Sequence, residues 1–356
     1  MKSFTDIFGG GPTVTAAARG RVNLLGEHTD YNQGYVLPTT IPQQTRVSLR
    51  VRNSTPFEVY SANLDASAQF TLERPPALHF AQYIYGCISE VVKHGAGVPP
   101  LHIHIDSEVP LEVGLSSSAA LEVATLRALR ELLDLKLDDV QIAKLAQMAE
   151  IEYAGVNCGI LDQMASSLLD SGSMLFLDTR SLDRELLPLP EHSEILVIDS
   201  GVARSLASSK YNERRAECEQ AARQLGLRAL RDASDIAAVD SLPEPLRKRA
   251  RHIVSENARV LRAAGGASAP EFGGLMNASH QSLRDDYEVS IPPLDQLVAL
   301  LQSESAVHGA KLTGAGFGGA CVALCKAGVA VATATKVLTK YRNAGHEGRL
   351  LVPMAA

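Results

Sequence analysis

The stretch GRVNLLGEHTDYNQGYVLP, residues 20–38, decides how the rest of the chain is read. Arg21, Glu27, His28 and Asp30 fall within ten residues, Gly26 sits among them, and Asn32-Gln33-Gly34 closes the group. Val22, Leu24 and Leu25 precede the charges, and Tyr35, Val36 and Leu37 follow them. A solvated polar turn does not need apolar flanks this tight. The pattern predicts a polar cluster set into apolar surroundings. There a carboxylate accepts hydrogen bonds and an imidazole either donates or accepts.

The bulk composition bounds the answer. A chain of 356 residues exceeds the size at which one core stops growing, so two domains are expected. A formal charge of -6, the absence of Trp and an aromatic content of 5% argue against a nucleic-acid partner and against a base-stacking platform. The cysteines are Cys87, Cys158, Cys218, Cys321 and Cys325, an odd number with no Cys-x-x-Cys pair, which predicts a reducing compartment. The N-terminal MKSFTDIFGGGP has no apolar run of signal-peptide length, and no stretch approaches a membrane span. The expectation is a soluble, cytoplasmic protein with no membrane partner.

Periodicity places the elements. RVSLRVR (46–52), FEVYSA (57–62) and LHIHID (101–106) alternate as half-buried strands do. Helical spacing runs through 77–94, ending at Gly95, and again through 116–133, 138–153 and 162–169. SMLFLD (173–178) and ILVIDS (195–200) read as strands, with a polar link between them. Charged helices fill 208–264, and a last helix spans about 329–342. Pro188 and Pro190 put the expected domain boundary in 179–194, giving domains 1–180 and 181–356. Strands and helices mix without a βαβ rhythm, so the fold class is α+β, with mixed sheets packed against helices.

Three further segments carry chemistry. In VPLEVGLSSSAALEVA (109–124) a loop with Gly114 leads to serines that open a helix. Helix N-termini expose unpaired N–H groups, and small residues let the backbone close on phosphate oxygens. Read alone, the serines serve equally as an ordinary helix cap. GAGFGG (314–319) has the spacing of a dinucleotide fingerprint, but ACVALC after it reads as a strand where that fingerprint needs a helix. Glycine backbone at positive φ is the expectation, and a plain glycine hairpin accounts for it. In NCGILDQMASS (157–167), Asp162 stands near a helix start, which stabilises a carboxylate anion but is also a common place for any Asp.

Together these segments, in this order, resemble the galactokinases of the GHMP small-molecule kinase superfamily over nearly the whole chain. GRVNLLGEHTDYNQG resembles the family's sugar signature, GLSSSAALEVA its phosphate loop, GVNCGILDQ its catalytic-aspartate segment, SLASSKYNERRAECE (205–219) its tyrosine segment, and KLTGAGFGGACVAL its C-terminal glycine motif. The resemblance implies a two-domain fold with the active site in the cleft between domains. It implies transfer of phosphate from ATP to the anomeric hydroxyl of D-galactose, with Mg²⁺ as cofactor and a monomer as the working form. Asp162 and Arg21 would be catalytic. Glu27, His28, Asp30, Gly159, Asp162 and Tyr211 would bind the sugar, where buried groups discriminate because a wrong epimer leaves them unpaired. Gly114, Leu115, Ser116, Ser117, Ser118 and Ala119 would bind ATP. Ser118 and Glu150 would hold the metal, although Glu150 also reads as a solvated helix residue. Gly314, Gly316, Gly318 and Gly319 would form a supporting loop.

The chain departs from the family at Arg19, where Pro is usual, and at Glu112 and Val113, where small residues are usual. A carboxylate at 112 would repel nucleotide phosphate. Two alternatives to a galactose kinase stand beside it: a non-catalytic galactose and ATP sensor of the same fold, and a kinase for N-acetylgalactosamine or arabinose. The intact Ser116–Ala120 segment and Asp162 weigh against the sensor, and Thr29, where N-acetylgalactosamine kinases have Ile, weighs against that sugar.

Overall fold

Alternation along one long strand organises the first half of the chain. From Ile41 to Leu49 every second residue is buried: Ile41, Gln43, Thr45, Val47 and Leu49. The computed structural model describes residues 1–203 and 207–354, so Ser205 and Leu206 of the tyrosine segment lie outside the described residues. In chain order the elements are α1 (Phe4–Phe8), β1 (Val14–Leu25), β2 (Tyr35–Val51), β3 (Phe57–Ser61), β4 (Ala66–Phe70), α2 (His79–Lys93), β5 (Leu101–Ser107), α3 (Ser117–Leu132), α4 (Asp139–Tyr153), α5 (Leu161–Leu168), β6 (Ser173–Asp178), β7 (Arg184–Pro188), β8 (Ser193–Asp199), α6 (Ala207–Gln224), α7 (Leu246–Ala264), α8 (Ala269–Asp285), α9 (Pro292–Gln302), β9 (Val307–Leu312), β10 (Ala320–Lys326), α10 (Ala330–Asn343) and β11 (Arg349–Val352).

Two compact units form, and they interleave along the chain. The first comprises Met1–Arg21, Gln43–Pro110 and Ser116–Leu169; the second comprises Val22–Pro42, Leu111–Leu115 and Asp170–Ala356. The sequence reading placed one crossing in 179–194. The structure instead gathers the charged turn of residues 22–42 with the C-terminal half, because its partners lie there.

In the first unit the later half of β2 pairs antiparallel with β5, Thr45 opposite Ser107 and Val51 opposite Leu101. β5 runs parallel to β3, and β3 antiparallel to β4. Helices α2, α3 and α4 bury Ile84, Ile88, Val123, Leu126, Leu129, Ile142 and Leu145 in one core with Val47, Leu49, Val59 and Ile103. Each such side chain contributes roughly 1.5–3 kcal/mol relative to exposure. α4 begins with a capping box: Asp138 accepts from the Gln141 backbone, and the Gln141 side chain accepts from the Asp138 backbone. α5 is short and places Asp162 in its first turn.

The second unit has an antiparallel four-stranded sheet in the order β11-β8-β10-β9. Leu196, Ile198, Leu312, Cys321 and Ala323 from this sheet pack with Ile253, Leu283, Leu297 and Val337 from its helices. The early half of β2 also belongs here, pairing with β6 at Tyr35–Asp178 and Thr39–Met174. The link read as irregular contains strand β7, antiparallel to β6. β7 is the last strand in its row and is mostly exposed, which lets it end on Pro188. All five cysteines are free thiols, and no described helix is long and apolar enough to cross a membrane.

Candidate active site

Asp162 is held from two sides in the first unit. Arg21, the last residue of that unit's share of β1, places Nε and Nη2 at 2.7 and 2.5 Å from Asp162 Oδ1. Ser116 Oγ donates to Asp162 Oδ2 at 2.6 Å. The Arg21 side chain is 7% exposed and that of Asp162 32%, so the guanidinium is embedded while the carboxylate keeps an open side. Ser116 stands at φ 58, the left-handed region, immediately before α3. The hydroxyl of Ser116, a residue the sequence reading gives to the nucleotide, orients Asp162. A carboxylate fixed in this way, with lone pairs remaining, can accept a proton from an alcohol.

Next to it lies a buried acid group. Gln163 Nε2 donates to Glu150 Oε2 at 2.5 Å and to Glu122 Oε2 at 3.4 Å. Burial, joined by the charge of Asp162, pushes Glu150 up to about 7, against hydrogen bonds from Ser118, Cys158 and Gln163. Glu150 is therefore buried rather than a solvated helix residue. Burial and the nearby Glu150 push the Glu122 carboxyl well above the usual carboxylate range. Sequence reading missed Glu122 and Gln163. Glu122 sits inside the quoted GLSSSAALEVA and Gln163 follows Asp162, so an acid on a buried helix face was the available signal. The Ser118 hydroxyl and Glu150 carboxylate are hard oxygen donors that fit Mg²⁺, an ion that keeps waters and shares substrate oxygens. Among the described residues no group of three His, Cys, Asp or Glu is placed to hold a metal ion. Ser117, Ser118 and Ala119 form the first turn of α3, and Gly159 is buried just before α5.

The second unit holds the rest. Glu27 is almost fully enclosed: Oε1 accepts from Lys311 Nζ at 3.0 Å and from Gly314 N at 2.9 Å, and Oε2 from Asn23 Nδ2 at 3.2 Å. The turn itself is clasped by α7. Gly26 N donates to Glu256 Oε1 at 2.8 Å, Tyr35 N to Asn257 Oδ1 at 2.9 Å, and His252 Nε2 lies 3.1 Å from the Glu27 carbonyl. Burial would raise Glu256, but the charges of Arg259, His252 and Lys311 with the Gly26 N–H outweigh it and pull Glu256 down to about 2. Burial lowers His252 to about 4. These α7 residues escaped the sequence reading, which saw only a charged helix.

His28 and Tyr211 come together as expected, their rings 5.7 Å apart, and Asp30 opens a short 3-10 turn. The glycine loop has the predicted backbone: Gly314, Gly316, Gly318 and Gly319 all lie at positive φ, and strand β10 follows. A Cβ on Gly314 would stand 3.1 Å from the Gly114 carbonyl, and Ala320 N donates to the Val113 carbonyl at 3.1 Å. The loop thus backs residues 113–114 of the phosphate-loop segment. Leu115 is buried, whereas Glu112 is exposed.

Residues 2–51 match the family described as the galactokinase galactose-binding signature, 82–168 the GHMP kinases N-terminal domain, and 260–343 the GHMP kinases C-terminal domain. A galactokinase from Roseiflexus sp. (strain RS-1) is 44% identical over 334 residues, covering 90% of this chain and 85% of that protein. The crystal structure of Lactococcus lactis galactokinase complexed with galactose superposes with a TM-score of 0.91 at 34% identity, covering 98% of this chain and 95% of that one. Methanococcus jannaschii mevalonate kinase shares the fold, with a TM-score of 0.69 at 19% identity, covering 95% and 97%. The chain belongs to the galactokinase family of GHMP kinases.

Proposed function

We propose that this protein transfers the γ-phosphoryl group of ATP to the C1 hydroxyl of D-galactose, giving α-D-galactose 1-phosphate and ADP. The observation that carries the reading is Asp162, gripped by Arg21 and Ser116, in a chain of this family. The C1 hydroxyl oxygen forms the new bond to phosphorus, its proton passes to Asp162, and the bond from phosphorus to the β–γ bridging oxygen breaks. Arg21 holds the Asp162 carboxylate in place and offsets charge on the transferring group. The N–H groups of Ser117, Ser118 and Ala119 at the start of α3, with the Gly114–Ser116 backbone, receive the nucleotide phosphates. His28, Asp30, Gly159 and Tyr211 meet the sugar. Glu27 belongs to the same recognition corner and is oriented by Lys311. Mg²⁺, held by Ser118 and Glu150, would neutralise phosphate charge when bound. The working form is a cytoplasmic monomer.

A coupled ADP assay over a sugar panel tests this. Galactose- and Mg²⁺-dependent ADP release, greater than with N-acetylgalactosamine or arabinose, is the expected result. Turnover confined to another sugar overturns the substrate, and binding of galactose and ATP without ADP release overturns the reaction.

A further inference from the structure

His28, a sugar contact in the scheme above, has a ring that is supported from behind. Its backbone stands at φ 65, where a non-glycine residue sits only when its surroundings impose it, at a cost of about 1–3 kcal/mol. Asn32 Nδ2 holds its carbonyl at 2.9 Å. From the imidazole a chain of hydroxyls runs inward. Nδ1 is 2.8 Å from Tyr31 OH, Tyr31 OH is 2.7 Å from Tyr287 OH, and Tyr287 OH is 3.2 Å from Cys218 Sγ. Tyr287 and Cys218 are fully buried. The His28 ring packs 4.6 Å from that of Tyr287, centroid to centroid.

The chain can be ordered in two ways. Outward, His28 Nδ1–H donates to Tyr31, Tyr31 to Tyr287, and Tyr287 to the thiol sulfur, a weak acceptor. Inward, the thiol donates to Tyr287, Tyr287 to Tyr31, and Tyr31 to Nδ1. The inward order ends on an imidazole nitrogen, a much better acceptor than sulfur, and uses the weak S–H donor only at the far end. Burial pushes the Tyr31 and Tyr287 hydroxyls well up and the Cys218 thiol up to about 12, so all three keep their hydrogens at neutral pH.

We propose that Tyr31 and Tyr287 are positioning residues that fix neutral His28 as its Nε2–H tautomer, so that the imidazole presents an N–H donor to a sugar oxygen. This rests on reading His28 as a sugar contact. The oxygen it meets must therefore accept, and a sugar carrying an apolar group there loses that bond.

Nitrogen-15 NMR of histidine-labelled protein, with His28 assigned by its loss in His28→Gln, reads the tautomer directly. The expected pattern is a protonated Nε2 and a bare Nδ1. A protonated Nδ1, in either the other tautomer or the imidazolium, overturns the proposal. In Tyr31→Phe the His28 nitrogen shifts should move toward a mixture of tautomers. KM for galactose should rise about tenfold, the loss of one buried hydrogen bond, while KM for ATP stays within about twofold. Tyr287→Phe keeps the Tyr31 donor and should give the smaller rise. Unchanged shifts and an unchanged galactose KM in folded Tyr31→Phe would overturn the positioning role. A wild type inactive on galactose would instead remove the function, and the NMR pattern would still decide the tautomer.

Discussion

Lys311 Nζ lies 3.0 Å from Glu27 Oε1, and the two side chains are 0% and 5% exposed. With Gly314 N and Asn23 Nδ2 on the same carboxylate, Glu27 ties the charged turn to the glycine loop across 287 positions of sequence. Such a pair is worth little against an apolar replacement, but removing one partner strands the other charge in a dry site. Lys311→Met should therefore destabilise the protein by about 3–5 kcal/mol. Urea unfolding checks this: the midpoint should fall without a change in slope. Adding Glu27→Gln to that variant should cost less than the two single losses together.

Asp162→Asn should lower kcat by about 10²–10⁴-fold, the usual worth of a positioned base. Galactose binding, measured by calorimetry, should change only a few fold, because the signature residues on the second unit are untouched. Wild-type turnover in this variant would remove Asp162 from the chemistry.

Gly316 is at φ 81, and a Cβ there would stand 2.3 Å from the Val289 carbonyl. Gly316→Ala should lower the melting temperature through a loss of at least about 1 kcal/mol, since both strain and overlap act against it. Ala315→Gly, one residue away, serves as the control for a change in loop composition.

Acid should destabilise the protein in two stages. Burial depresses His252 from 6.5 to about 4, so between those values the unfolded chain holds a proton that the folded chain lacks, and stability falls as pH falls. Glu256 is depressed from 4.5 to about 2 by the charges around it, so its contribution, full above 4.5, is lost as pH drops further toward 2. Each stage is on the order of a few kcal/mol. Melting temperature against pH checks the order: His252→Asn should flatten the curve between 6.5 and 4 and leave the lower stage in place.

Much of this was legible from local pattern. The end of β2 from Arg46, the β5 strand, α2 through α5, the serine loop, Asp162 at a helix start and the strand after GAGFGG all follow from periodicity and turn chemistry within windows of a dozen residues. The clasp of α7 on the turn, the Lys311–Glu27 pair and the Tyr31–Tyr287 contact did not. Each joins residues more than 200 positions apart, and no local period encodes such a meeting. Helices α8 and α9 were passed over although Pro270 and Pro292 mark their first turns. The 179–194 boundary followed from Pro188 and Pro190, the first of which closes an edge strand.

The interleaved path of the chain sets a limit on dissection. A fragment starting at Asp170 would carry Glu256, Asn257 and Lys311 but not Gly26, Tyr35 and Glu27, their mates. No single cleavage yields two self-sufficient halves, so synthesis of nearly the entire polypeptide must precede closure of the C-terminal body, and its assembly should be slow for its size.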